Sequence, residues 1–166
     1  MENTDIMFNE LIKAIESMDP EILAGTIVMF AGFFVVLAAI AVIRYLMIAI
    51  GYSKMYRKAG EAGWKAFIPV FNTYTNYKIS WAGKFFFLSA ALYILLTLFN
   101  GSDMLALQLA AIAAGIAQIV VVIKQNIKMA KLFGKGTGTG IALMIFPGIT
   151  SLILGLGKAE YTAIEL

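Results

Sequence analysis

The chain has 166 residues, 61% of them hydrophobic and 14% charged, with 13 Lys and Arg against 10 Asp and Glu and neither Cys nor His. A soluble domain averages about 45–50% apolar and about 25% charged residues, so this composition excludes an ordinary soluble fold. Without Cys there is no disulfide framework, thiolate zinc site or iron–sulfur cluster, and without His the usual haem ligand, pH switch and commonest general base are missing.

Residues 1–21 are acidic, whereas a cleavable signal peptide needs a basic start and a short apolar core. Ile6, Met7, Leu11, Ile15 and Met18 share one helical face, which predicts an amphipathic helix outside the membrane. Anionic lipid would repel its acidic face, so this helix is expected to pack on protein. Ser17-Met18-Asp19-Pro20 echoes the S-M-x-P around the nucleophile of bacterial signal peptidases. Such a serine needs a lysine base in a folded outer domain, and the short outer segments leave no room for one.

Residues 22–43 carry no charge. At about 1.5 Å per residue they cover about 33 Å, enough for a hydrocarbon core of about 30 Å. Gly25, Gly32 and Ala39 recur every seven residues on this span, the kind of small-residue face along which membrane helices approach each other. Arg44 ends the run and is expected to snorkel to the interface.

Segment 44–84 is basic and aromatic. Lys54, Arg57 and Lys58 are candidate contacts for anionic headgroups, at about 1 kcal/mol per cation near the surface. Tyr52, Tyr56, Trp64, Tyr74, Tyr77 and Trp81 suit a membrane interface, because each has an apolar body and a polar tip. Phe67, Ile68, Val70 and Phe71 around Pro69 are too few to span, and residues 66–80 lie along the interface or dip in as a re-entrant turn.

The next apolar runs are 85–99 and the Ala-rich 104–123, joined by Asn100-Gly101-Ser102-Asp103 as a tight helical hairpin. Ala106, Ala110 and Ala114 form a second small-residue face. Gln108 and Gln118 lie in the same span and must face protein or water, either lining a polar path or joining helices. Lys124, Lys128 and Lys131, at i, i+4 and i+7, form one basic stripe on the inner extension of this helix. Nothing interleaves them with base-stacking aromatics, so nucleic acid is not an expected partner. Residues 134–140 read as a Gly/Thr loop; they lack both the G-x-x-x-x-G-K-[ST] and the G-x-G-x-x-G spacing, so no nucleotide site is expected. The last run, 140–156, contains Pro147-Gly148, which kinks a membrane helix.

The expected fold is therefore all-α: an integral membrane bundle of four transmembrane helices at about 22–43, 85–99, 104–123 and 140–156, with an outer amphipathic helix (1–21), a transmembrane domain (22–166) and an inner interfacial segment. Orientation follows from charge. Segments 44–84 and 124–139 hold eleven cations against Glu61 alone, net +10, while the remainder holds two lysines against nine acids, net −7. Lys and Arg near helix ends stay cytoplasmic, so both termini are expected outside. No Asp or Glu falls within a span, which disfavours a proton relay or cation-coupled pump.

Two stretches resemble a family of small bacterial membrane proteins known only as a domain of unknown function, some of whose members carry an unjustified signal-peptidase label. Lys58-Ala59-Gly60-Glu61-Ala62-Gly63-Trp64-Lys65-Ala66-Phe67-Ile68-Pro69-Val70-Phe71-Asn72 follows its pattern K-A-G-x-x-G-W-K-x-x-I-P-x-x-N. Ala130-Lys131-Leu132-Phe133-Gly134-Lys135-Gly136-Thr137-Gly138 follows A-K-x-F-G-K-G-x-G, with Gly155-Leu156-Gly157 and Tyr161 beyond it. The likeness covers roughly residues 50–161. Phe71 stands where Tyr is frequent, and Lys158 where an acid is common. The resemblance implies a multi-span protein of the bacterial cytoplasmic membrane and supplies no activity, catalytic residue or cofactor.

The expected function is a non-enzymatic scaffold or subunit that self-associates or joins a larger membrane complex, with no cofactor or metal. Gln108, Gln118 and the kinkable Pro147-Gly148 also permit an oligomeric pore or small-solute or anion channel. Any functional surface is expected on the inner side, from residues 56–72 against 130–140.

Overall fold

The computed structural model describes residues 2–163; Met1 and residues 164–166, which the expected domain bounds include, lie outside the described residues. Among the described residues there are seven α-helices, one 3-10 turn and no strand. The chain divides after Ile43 into two compact units.

In the first unit, α1 (Glu2–Glu16) ends at Ser17, whose hydroxyl donates back to Ala14 O at 3.0 Å. Asp19 caps the next helix, its Oδ1 accepting the Glu21 N–H at 2.8 Å. Pro20 suits the start of α2 (Pro20–Lys58), because its missing N–H is among those a first turn leaves unpaired. Described side chains from Thr4 to Ile43 are exposed or half-exposed, and Gly25 and Gly32 have open space around them.

The second unit begins at Arg44, within α2. After α2 come a 3-10 turn (Gly63–Phe67), α3 (Pro69–Ser80), α4 (Lys84–Phe99), α5 (Leu105–Leu132), α6 (Thr137–Ile145) and α7 (Pro147–Leu156). The α4–α5 pair is the hairpin expected from residues 100–103. Gln108 Nε2 donates to Ser102 O at 2.8 Å across its turn. Of residues 66–80, for which the sequence permits an interfacial or a re-entrant path, Pro69–Ser80 form a helix with Pro69 in its first turn.

The last apolar run is not one helix. Proline has no N–H and disfavours helical backbone in the residue before it, and Phe146 sits at φ −122°, ψ 59° between α6 and α7. The two halves fold back on each other. The turn leading into α6 hangs from the end of α5, where Lys135 N donates to Ala130 O at 2.9 Å. A Cβ added at Gly140 would lie 2.6 Å from Ile127 Cα, so α6 runs back along α5. By contrast, α7 runs beside α2 in the same direction. Gly148 lies by Met47 and Ile48, Ser151 packs on Gly51, and Gly155 lies by Gly51 and Lys54. A Cβ at Gly51 would stand 2.6 Å from the Ser151 carbonyl carbon and 2.7 Å from Leu152 N, so no larger residue fits this crossing.

The core sits where these ends converge. Tyr56 and Met55 of α2, Met129 and Phe133 at the end of α5, Leu143 of α6 and Leu154 of α7 form one buried cluster.

Candidate functional site

Residues 56–72, 130–140 and the tail after α7 meet at one end of the second unit. Their polar groups are tied together by contacts that local sequence patterns do not reveal.

The tail is held by Lys58. A helix C-terminus leaves its last carbonyls without intrahelical donors, and a lysine ammonium carries three donors. Lys58 Nζ donates to Leu154 O at 2.8 Å, Gly157 O at 2.7 Å and Ala159 O at 2.8 Å, which also places a cation at the negative end of α7. Tyr161 then packs its ring on Phe133, centroids 5.6 Å apart, and donates its hydroxyl to Ile79 O at 2.8 Å. Partial burial raises the Tyr161 phenol above its ordinary value. Thr162 N donates to Leu132 O at 2.8 Å. The tail thus joins the ends of α2, α3 and α5.

The first motif forms the turn after α2. Gly60 has φ +77°, a conformation that favours glycine. Gly63 has no room for a Cβ, which would lie 2.6 Å from Ser53 Oγ and 2.8 Å from Arg57 Nε. Glu61 bridges two cations, Lys65 Nζ at 2.6 Å on Oε2 and Lys78 Nζ at 2.5 Å on Oε1. The hydrogen bond from Lys65, then that from Lys78, holds its carboxyl below the usual carboxylate range. The hydrogen bond to Glu61 in turn raises Lys78. In the second motif Gly134, φ +66°, closes the end of α5, while Ala130 and Phe133 are buried.

A polar seam runs from this end along α3 and α5. Tyr56 donates its hydroxyl to Asn72 O at 2.8 Å and also contacts Asn72 Oδ1; Asn76 Nδ2 donates to that oxygen at 3.3 Å. Ser80 donates to Asn76 O at 2.5 Å and accepts from Gln125 Nε2 at 3.2 Å. Seven residues earlier on α5, Gln118 Nε2 lies 2.8 Å from Ser89 Oγ of α4. Two buried atoms on the seam, Thr75 Oγ1 and Asn76 Oδ1, have no hydrogen-bond partner among the described residues.

The outer surface of this end is apolar and cationic. Trp64 is 53% exposed and meets Phe71 edge-on at 5.4 Å; Phe67, Ile68 and Val70 are exposed beside it. Tyr45 donates to Phe67 O and ties the strip to α2. Lys54 and Arg57 are exposed, whereas Lys58 is occupied by the tail. On α5, Lys124 and Lys131 are exposed, and Lys128 lies 5.1 Å over the Trp81 ring, which stacks on Phe85 at 3.7 Å. The three lysines of the stripe therefore have different surroundings.

The expected packing residues also divide. Ala114 is buried, and Gly115 beside it meets Leu96 of α4. Ala110 and Gln108 are exposed. The tight crossing instead uses Gly51 and Ser151, which the sequence pattern does not mark, together with Gly155 of the resemblance motif. The polar seam left one readable sign: Asn72, Asn76 and Ser80 recur at i, i+4 and i+8 along α3. Among the described residues no group of three or more Asp or Glu is placed to hold a metal ion.

No curated protein and no solved structure matches the chain. Residues 64–163, which include most of the first motif, all of the second and the clasped tail, match the family of unknown function DUF5684, and the chain belongs to that family.

Proposed function

We propose that this protein is a non-enzymatic membrane scaffold or subunit of the bacterial cytoplasmic membrane, with α2, α4 and α5 crossing the bilayer. The observation that carries the membrane reading is where its apolar surface lies. The most apolar stretch of α5 is only 11% buried and that of α2 is 0% buried. A core helix of a soluble protein would be mostly buried, and water would not tolerate so much contiguous apolar surface. Hydrocarbon is its natural solvent. The charge asymmetry puts segments 44–84 and 124–139 on the cytoplasmic side.

The scaffold reading rests on the state of the polar groups. Lys58, Glu61, Tyr56, Gln118 and Gln125 are all engaged with protein partners. Interhelical amide–hydroxyl pairs are typical adhesives between membrane helices. The pore reading draws chiefly on Gln108 and Gln118, and both amides are bonded within the α4–α5 pair. What the inner end offers outward is the strip around Trp64 with Lys54, Arg57, Lys124 and Lys131, suited to anionic lipid headgroups and to a membrane partner or a second copy.

Native mass spectrometry of the full chain in mild detergent tests this reading. A complex with a second protein, or a homo-oligomer that leaves liposomes tight at high loading, supports it. A lone monomer, or liposomes that conduct and lose conductance with Gln118→Leu, overturns it.

A further inference from the structure

We propose that α6 and α7 form a re-entrant hairpin that enters and leaves the bilayer on the basic side, so that the tail after α7 lies with segments 44–84 and 124–139 and not across the membrane from them. The inference rests on the membrane reading above and departs from the four-span, both-termini-outside topology that hydropathy and charge suggest.

Length is the first argument. A crossing helix needs about 20 residues. The 9 residues of α6 and the 10 of α7 reach about 14 Å and 15 Å, half of a hydrocarbon core of about 30 Å. Stacked end to end they would nearly span, but they are not stacked. Residues just before α6 and just after α7 meet at the same place. Lys135 N bonds to Ala130 O, and Thr162 N bonds to Leu132 O two residues along α5.

The second argument is the set of bonds that a crossing would break. Lys58 holds three carbonyls after and at the end of α7, Tyr161 holds Ile79, and Thr162 holds Leu132. Carrying the tail to the far side would break all five and leave an ammonium group without its acceptors. The Ser151–Gly51 and Gly155–Gly51 contacts, which need α7 parallel to α2, would break with them.

The tip is chemically suited to mid-depth. Phe146 N donates to Ala142 O at 2.8 Å and Thr150 N to Phe146 O at 3.0 Å, so the reversal keeps two of its amides bonded. Ile145, Phe146 and Ile149 around it are apolar and exposed. Charge does not oppose the arrangement, since the tail's Lys158, Glu160 and Glu165 together bring one net negative charge to a side that otherwise carries +10, and acidic residues weigh little in orientation. One consequence is functional: a soluble partner that reaches residues 56–72 also meets the tail.

The natural absence of cysteine makes the test direct. Ser102→Cys in the α4–α5 turn, Lys135→Cys between α5 and α6 and Glu160→Cys in the tail are each made in the otherwise cysteine-free full chain. A membrane-impermeant maleimide is applied to intact cells and to permeabilised cells, with the amount in the membrane fraction as the folding control. The hairpin predicts that Glu160→Cys labels with Lys135→Cys and opposite to Ser102→Cys, whichever side that proves to be. Labelling of Glu160→Cys together with Ser102→Cys, opposite to Lys135→Cys, overturns the hairpin and leaves the membrane reading standing. If all three behave alike, the membrane reading itself fails.

Discussion

The two parts of α2 make an instructive contrast. From Pro20 to Ile43 the helix has no charge after Glu21 and no buried side chain among the described residues. From Arg44 to Lys58 it carries four cations, yet six of its residues are buried: Ala49, Gly51, Tyr52, Ser53, Met55 and Tyr56. Burial here runs opposite to hydropathy. In water, apolar surface would drive packing; in a bilayer, lipid competes equally for it, and helices associate where backbones approach closely and polar groups find partners. Small residues alone are not enough, since Gly25 and Gly32 have open space while Gly51 faces Ser151 and Gly155. A matching face on another helix makes the difference.

The largest expected effect comes from filling that crossing. Gly51→Leu drives a side chain into the Ser151–Leu152 backbone and should cost about 3 kcal/mol or more. Gly32→Leu, in open space, should leave the thermal unfolding midpoint in detergent almost unchanged. Equal tolerance at both positions would break the comparison.

Next comes the clasp. Lys58→Met removes three charge-assisted bonds and should destabilise the second unit by about 2–3 kcal/mol. Limited proteolysis within residues 157–163 should speed up, whereas Lys54→Met should not affect it. Arginine's planar fork does not match three converging carbonyls, so Lys58→Arg should restore little.

A smaller effect sits in the turn. Glu61→Gln should lose about 1 kcal/mol, since the cluster is partly solvated. Because the folded Glu61 carboxyl is held below its ordinary value, its contribution is complete above that value. It is lost as pH falls through the folded one. Lys78, raised in the fold, contributes below its ordinary value and loses that contribution as pH rises through the folded one. Unfolding midpoints followed from neutral to acid should therefore fall in the wild type, and fall less in Glu61→Gln.

The smallest is Thr75→Val. It removes a buried hydroxyl without a partner and should be neutral or stabilising by up to about 1 kcal/mol. A clear loss of stability would mean that Thr75 holds a bonded water in the seam.

Several features were legible because they are local. The apolar runs, the turn at residues 100–103 and the lysine stripe at 124, 128 and 131 all follow from periodicity and composition within a few residues. The role of Lys58 was not legible, because its acceptors lie 96 to 101 residues away and are backbone atoms, which leave no mark in the sequence. Trp64 and the glycines of the motif were visible as unusual residues. Gly63 proves to be required by the approach of Ser53 and Arg57, and Gly60 and Gly134 by turns with positive φ.

The last apolar run marks the boundary between the two kinds of knowledge. Residue by residue, the chain specifies an all-helical fold, its apolar runs, the charge asymmetry between its segments and a kink at Pro147. These follow from hydropathy, charge and covalent geometry, properties each residue carries alone. Whether the chain beyond Pro147 continues onward or returns was decided only by tertiary structure. That choice depends on a gap at Gly51 for Ser151 and Gly155, and on an ammonium group at Lys58 placed to receive three carbonyls. These complementarities exist only once separate helices are side by side.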